Sequence, residues 1–268
     1  MKNETQSLFI ATPCIGNLVT LDFMKSMLDV LAWVKTKEIP IRFYWHSGSQ
    51  DIVAKRNTCV AEFLNDSATY SHLLFVDADV AFEVETLEKL LKANKDIAVA
   101  PYPCKSIDWM WHKARTTNDP HAKLETAGLT YAVVFENPDP LPDGVAWDDK
   151  SIIQPNKEGW LKVKYVAAGM TLIKREVFTS LIRAHIVRDY KTAENIKNMY
   201  GFFDVIYESD YRLGEDFSFS QRVQNIGREI WVLCTDTMRH EGPTKFIGSF
   251  QEHIKTIELL RKKSNTND

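Results

Sequence analysis

The stretch HLLFVDADV, residues 72–80, runs four apolar side chains into two carboxylates, Asp77 and Asp79, one residue apart. A short continuous apolar run of this kind reads as a fully buried strand. The two acids then fall at its end, where burial of charge is most costly unless a partner offsets it. On an extended chain residues i and i+2 face the same way, so the spacing predicts two carboxylates on one side. Such a pair makes half a site for a hard divalent cation. Mg2+ and its neighbours commonly take one or two protein carboxylates and fill the rest with phosphate oxygens and water.

Outward from this stretch the chain alternates strand and helix. SLFIAT (7–12) is a short apolar strand, and Met24, Met27, Leu28, Leu31, Ala32 and Val34 recur at helical spacing. IRFYWH (41–46) is a second strand, and DIVAKRNTCVAEFLND (51–66) a helix with Asp51 suited to its start. VETLEKLLKA and DIAVAPY continue the alternation to residue 102. This order predicts an α/β fold with a mostly parallel, Rossmann-like central sheet and helices on both faces. Ligands then sit at the C-terminal ends of the strands.

Residues 103–160 break the pattern. ARTTNDPHAKLE and ENPDPLPDGVAWDDK are rich in turn formers, with GLTYAVVF a candidate strand between them. The segment reads as an irregular insertion, and IDWMWHKAR within it supplies aromatics and His112 for an acceptor platform or for a local core. GWLKVKYVAAGMTLIKREVF then predicts strand, Gly169, strand and helix; GEDFSFSQRVQNIG a helix ended by Gly227; EIWVLCT a last strand. The chain after RHEGPT reads as a mostly helical tail (243–268).

Composition bounds the function. The 268 residues suffice for one large domain, and a formal net charge of -3 advertises no nucleic-acid track. Cys14, Cys59, Cys104 and Cys234 form no C-x-x-C pair and read as thiols in a reducing compartment. No signal peptide or membrane span is legible, so a cytoplasmic location is expected.

LLFVDADV, between an AKRN helix and a strand ending VAPY, resembles the D-x-D signature of GT-A fold glycosyltransferases, family 2-like members included. These transfer a sugar from a nucleoside-diphosphate donor with Mn2+ or Mg2+. Further pieces resemble the family in order: ATPCIGN a loop touching the nucleotide base, DIVAKRN a helix sending an arginine to the donor, VAAGMTLIKREVF the backing of donor sugar and acceptor, GEDFSFSQRVQNIG an acidic motif beside the acceptor, and MRHEG a third metal ligand.

The resemblance implies a single GT-A type domain: a donor half (1–102), the insertion, and a smaller acceptor-side region (161–242). It implies Asp79 and His240 as metal ligands, with Asp77 on the ribose or metal. It implies Asp216 as base with Glu215 on the acceptor if the reaction inverts the anomeric centre. Thr12, Pro13, Arg56, Ala78, Tyr102, Gly169 and Lys245 become donor-site candidates. The acceptor is a hydroxyl, foremost on a glycan. An imidazole beside a carboxylate suits Mn2+ better than Mg2+. Of Lys55 and Arg56, one is expected to be a solvated helix charge, and Arg56 with its planar fork is the phosphate or base contact. Glu215 and Asp216, at a helix N-terminus, are expected to stay ionised at neutral pH.

Two other classes fit less well. A sugar nucleotidyltransferase would carry a Gly-rich basic loop after the first strand, whereas ATPCIGNLVT has one glycine and no Lys or Arg. A non-catalytic binding module would not need Asp79, His240 and Asp216 together.

Overall fold

The computed structural model describes residues 6–48, 51–118, 123–136, 154–192, 195–208 and 210–264. Most of the proline-rich stretch at 136–150 and the last four residues of the tail lie outside them.

The first half is β1 (Leu8–Pro13), α1 (Leu21–Lys37), β2 (Ile41–His46), α2 (Ile52–Asn65), β3 (His72–Val76), β4 (Val80–Ala81), α3 (Val84–Lys92) and β5 (Ile97–Val99). The described part of 103–160 is not irregular: it carries β6 (Pro103–Ile107), α4 (Trp109–Asn118), β7 (Leu129–Tyr131), β8 (Val133–Phe135) and the start of β9 (Trp160–Val166). There follow β10 (Met170–Lys174), α5 (Arg175–Arg183), β11 (Ile206–Tyr207), β12 (Arg212–Leu213), α6 (Glu215–Asn225) and β13 (Ile230–Leu233). β14 (Thr237–Glu241), β15 (Lys245–Ser249) and α7 (Phe250–Ser264) close the chain, so a hairpin precedes the expected helical tail.

The central sheet has the order β2-β1-β3-β10-β5-β13-β9-β8. β2, β1 and β3 are parallel, β10 runs against β3 and β5, and β9 runs against β13 and β8. Six of the eight strands therefore point the same way. Period-two alternation sorts side chains to the two faces. Phe9, Ala11, Leu73, Phe75, Ile97 and Val99 pack with α2, α5, α6 and α7. Leu8, Ile10, Leu74, Val76 and Ala98 pack with α1 and α3. The run LLFV is apolar throughout because both faces are covered by helices.

Local signals set the helix starts. Thr20 caps α1 by accepting from Phe23 N at 3.3 Å, and Asp51 caps α2 by accepting from Val53 N at 2.9 Å. A second, small sheet of β15-β14-β4 lies beyond the end of β3 and pairs His240 with Val80. No helix among the described residues is long and apolar enough to cross a membrane.

Candidate active site

The C-terminal ends of β1, β3 and β5 open on one edge of the sheet. The Asp77-Ala78-Asp79 backbone is pinned there from three sides. Asp77 N donates to Gly169 O at 2.8 Å, Thr20 N donates to Ala78 O at 2.9 Å, and Glu241 N donates to Asp79 O at 2.9 Å. Val80 N also donates to Asp77 O at 3.0 Å, which closes a turn across the motif. That turn breaks the alternation of an extended chain, so the two acids do not share one set of partners as their spacing predicts.

Asp77 faces the sheet interior. Arg56 Nη2 donates to its Oδ1 at 3.2 Å, and the Tyr102 hydroxyl donates to Oδ2 at 3.3 Å. Gly169 is required by this packing, since a Cβ there would lie 2.3 Å from both Asp77 Oδ2 and the Tyr102 oxygen. Arg56 comes from α2 and is 2% exposed. Its guanidinium also sits 3.2 Å (Nε) from Asp216 Oδ1 and 3.9 Å from Glu215 Oε1. The Asp216 approach is an ion-pair distance without hydrogen-bond alignment: Arg56 Nε and Nη1 and Asp216 Oδ1 are buried with no hydrogen-bond partner in the chain. The rings of Phe75 and Phe203 flank Arg56 at 5.4 and 5.8 Å. Asn57, bound to Phe203 N at 2.9 Å and Asp204 Oδ1 at 2.8 Å, holds the segment that carries Phe203. Burial works against the Arg56 charge, but Asp77 and Asp216 outweigh it and raise its pKa.

Asp216 corrects an expectation. Burial, assisted by Glu215 and Asp77, pushes its carboxyl well above the usual carboxylate range, while Arg56 and the Ala168 N–H oppose that shift. Desolvation thus exceeds the helix N-terminal effect that was expected to keep it ionised.

Asp79 faces the other way, toward the small sheet. Its Oδ1 lies 3.4 Å from His240 Nε2, and Lys105 Nζ donates to Oδ2. His240 Nδ1 donates to Pro103 O at 2.8 Å, which leaves the Nε2 lone pair directed at Asp79 in the neutral ring. The Tyr102 ring meets the imidazole edge-on at 4.9 Å. Burial raises the Asp79 pKa, but a hydrogen bond from His240 when its ring is protonated, and one from Lys105, prevail and lower it.

The remaining candidates separate. Thr12 and Pro13 end β1, paired with Trp45 and His46, and the turn after them has φ of 65° at Gly16 and 58° at Asn17. Lys245 lies on β15 and donates to Asp22 Oδ2 at 2.6 Å. Lys55 is not a solvated helix charge. It is fully buried, with Nζ donating to the Cys14 and His46 carbonyls at the ends of β1 and β2. In α4, Trp111 stacks on His253 of α7 at 5.1 Å, whereas Trp109 and Met110 are exposed. All four cysteines are free.

Sequence reasoning missed Lys105. It lies in the segment taken as irregular, and only the pairing of β6 with β7 and the packing of β6 against β14 carry it to Asp79. Among the described residues no three His, Cys, Asp or Glu side chains converge as a ready-made metal cluster, because Asp77 is turned to Arg56.

No protein-family model matches the sequence, and no curated protein matches it. Among solved structures the chain is similar to the catalytic domain of Drosophila beta1,4-galactosyltransferase 7 in complex with xylobiose, at 10% identity over 90% of this chain and 68% of that one, TM-score 0.41. It is similar to GalNAc-T7 with UDP, GalNAc and Mn2+, at 11% identity over 96% of this chain and 48% of that one, TM-score 0.42. It is also similar to 4-diphosphocytidyl-2C-methyl-D-erythritol synthase from Anaerococcus prevotii, at 7% identity over 71% and 80% of the two chains, TM-score 0.32. This chain spans about half the length of the GalNAc-T7 structure. These are distant likenesses of overall arrangement, and the chemistry of the site is carried by its own residues.

Proposed function

We propose that the chain is a metal-dependent glycosyltransferase that moves a sugar from a nucleoside-diphosphate sugar to a hydroxyl acceptor, foremost on a glycan. One observation carries this reading. A single buried guanidinium, Arg56, joins the D-A-D motif at the end of β3 to Glu215 and Asp216 at the start of α6, at the strand edge where open α/β sheets bind ligands.

The donor set fits a hard divalent cation. Asp79 offers a carboxylate, His240 an Nε2 lone pair whose tautomer Pro103 O fixes, and a carboxylate-imidazole pair favours Mn2+. A cation held by Asp79 and His240 would supply charge neutralisation for the leaving nucleoside diphosphate. Arg56 holds Asp77 and Asp216 in place and so acts on the donor through them. Tyr102 and Gly169 set the wall behind Asp77. We read Thr12, Pro13 and Ala78 as the nucleotide side of the site and Lys245 as a further donor contact on the resemblance alone. Asp216 takes the acceptor hydroxyl proton if the reaction inverts, with Glu215 orienting the acceptor. We read residues 1–102 as the donor half and 161–242 as the acceptor half of one domain. The free thiols suit a reducing, cytoplasmic setting. A nucleotidyltransferase reading is weaker, because the cation nearest the β1 loop, Lys55, is buried and directed at backbone carbonyls rather than at a triphosphate.

A thermal-shift matrix tests this: UDP, GDP, CDP, ADP and dTDP, each with and without Mn2+, for wild type and Asp79→Ala. Saturation to a hundred times Kd adds about 2.7 kcal/mol. Stabilisation by one nucleotide that needs both Mn2+ and Asp79 is the expected result. No shift with any nucleotide overturns the reading.

A further inference from the structure

Resting on that reading of the site, we propose that Lys105 is a resident counter-ion of Asp79 that an incoming divalent cation must displace, so that this lysine sets the affinity of the site for its metal. The Lys105 ammonium bonds Asp79 Oδ2 while His240 Nε2 faces Oδ1 at 3.4 Å. The ammonium therefore holds one of the two oxygens that a cation between Asp79 and His240 would draw on. A cation and an ammonium on one carboxylate repel each other, so occupancy by one costs the other.

Three features mark this contact as exchangeable but built. Its side chains are about a third exposed, 33% and 32%, whereas the neighbouring Arg56–Asp77 pair is fixed by a guanidinium side chain only 3% exposed. The lysine stem is seated by a bare backbone: a Cβ on Gly242 would lie 2.9 Å from Lys105 Cδ. Lys105 also shares β6 with Pro103, whose carbonyl orients His240, so one strand positions both the imidazole and its competitor. The other cations of this rim are engaged elsewhere, Arg239 with Glu83 at 2.8 Å and Lys245 with Asp22 at 2.6 Å.

The test uses the full chain and Mn2+ alone, with free Mn2+ read by electron paramagnetic resonance. Wild type, Lys105→Met, Lys105→Gln and Asp79→Asn are titrated after circular dichroism confirms folding. Removing the competitor should tighten Mn2+ binding about tenfold in both lysine variants, and Asp79→Asn should abolish it. A second measurement needs no lysine variant: the rate of reductive methylation of the Lys105 amine in wild type, by mass spectrometry, should rise when Mn2+ is added. Mn2+ binding that is unchanged or weaker in the lysine variants, or a methylation rate that Mn2+ leaves unaltered, overturns displacement and leaves the metal site standing. Failure of wild type and both lysine variants to bind Mn2+ overturns the metal reading as well.

Discussion

At the scale of single residues, Gly169 and Arg56 decide whether the site exists. In Gly169→Ala the new methyl collides with Asp77 Oδ2 and the Tyr102 oxygen, each 2.3 Å away. The expected cost is about 1–3 kcal/mol in urea unfolding, with loss of nucleotide-dependent stabilisation in the same samples. Arg56→Met keeps the volume but strands Asp77 and Asp216. Breaking a buried charge set in this way costs about 3–5 kcal/mol, and an isosteric neutral residue that costs nothing would show that the guanidinium is not what holds the carboxylates. Asp216 was legible as an acid opening a helix, but its raised pKa was not, because desolvation comes from neighbours distant in sequence. A pH–rate profile should accordingly place the acidic limb of activity above the ordinary carboxylate range, and that limb should vanish in Asp216→Asn along with most of the rate. An acidic limb at the usual carboxylate pH would remove Asp216 as the base.

At the scale of elements, the start of α1 and the turn of the D-A-D motif act as one unit. Thr20 caps the helix with its side chain and holds Ala78 O with its backbone N–H. Thr20→Ala keeps the backbone N–H on Ala78 O but loses the cap, which should cost about 1 kcal/mol and, by loosening the first turn of α1 that positions that N–H, should also weaken Mn2+ affinity. An unchanged affinity would separate the cap from the site. The elements read correctly were those with a local signature: the apolar runs of β1, β3 and β5, the cap of α2 at Asp51, and Gly227 after α6. β14 and β15 carry no local strand signature, since TMRHE shows no alternation and Gly242-Pro243 signals a turn. They are strands because β14 pairs with both β4 and β15, a pairing no local pattern announces. β6 and α4 were hidden for the same reason behind turn-forming neighbours.

For the whole molecule, stability should carry the mark of two histidines, His72 buried and His253 half-buried. Burial lowers the pKa of His72, on β3, to about 4. Burial also lowers that of His253, on α7, to about 4, against a Leu129 hydrogen bond that raises it and with Arg115 assisting. Both folded values lie below the unfolded one near 6.5, so the unfolded chain binds more protons between those limits. Their contribution is fully present above about pH 6.5 and is lost as pH falls toward 4, up to roughly 3 kcal/mol for each group. Urea midpoints measured from pH 7.5 to 4.5 should fall with pH, and His72→Leu should flatten part of that slope. A wild-type profile that is level over this range would contradict the lowered pKa of both rings. The sequence by itself determined the α/β class and the order of the first five major elements, because apolar period, caps and turn formers act over a few residues. Only the tertiary structure decided which way β9 and β10 run, that Asp77 turns to Arg56 while Asp79 turns to His240, and that Lys105 lies on Asp79. Those outcomes depend on pairing and charge contacts between segments up to 161 residues apart, from Asp79 to His240, and no local pattern records them.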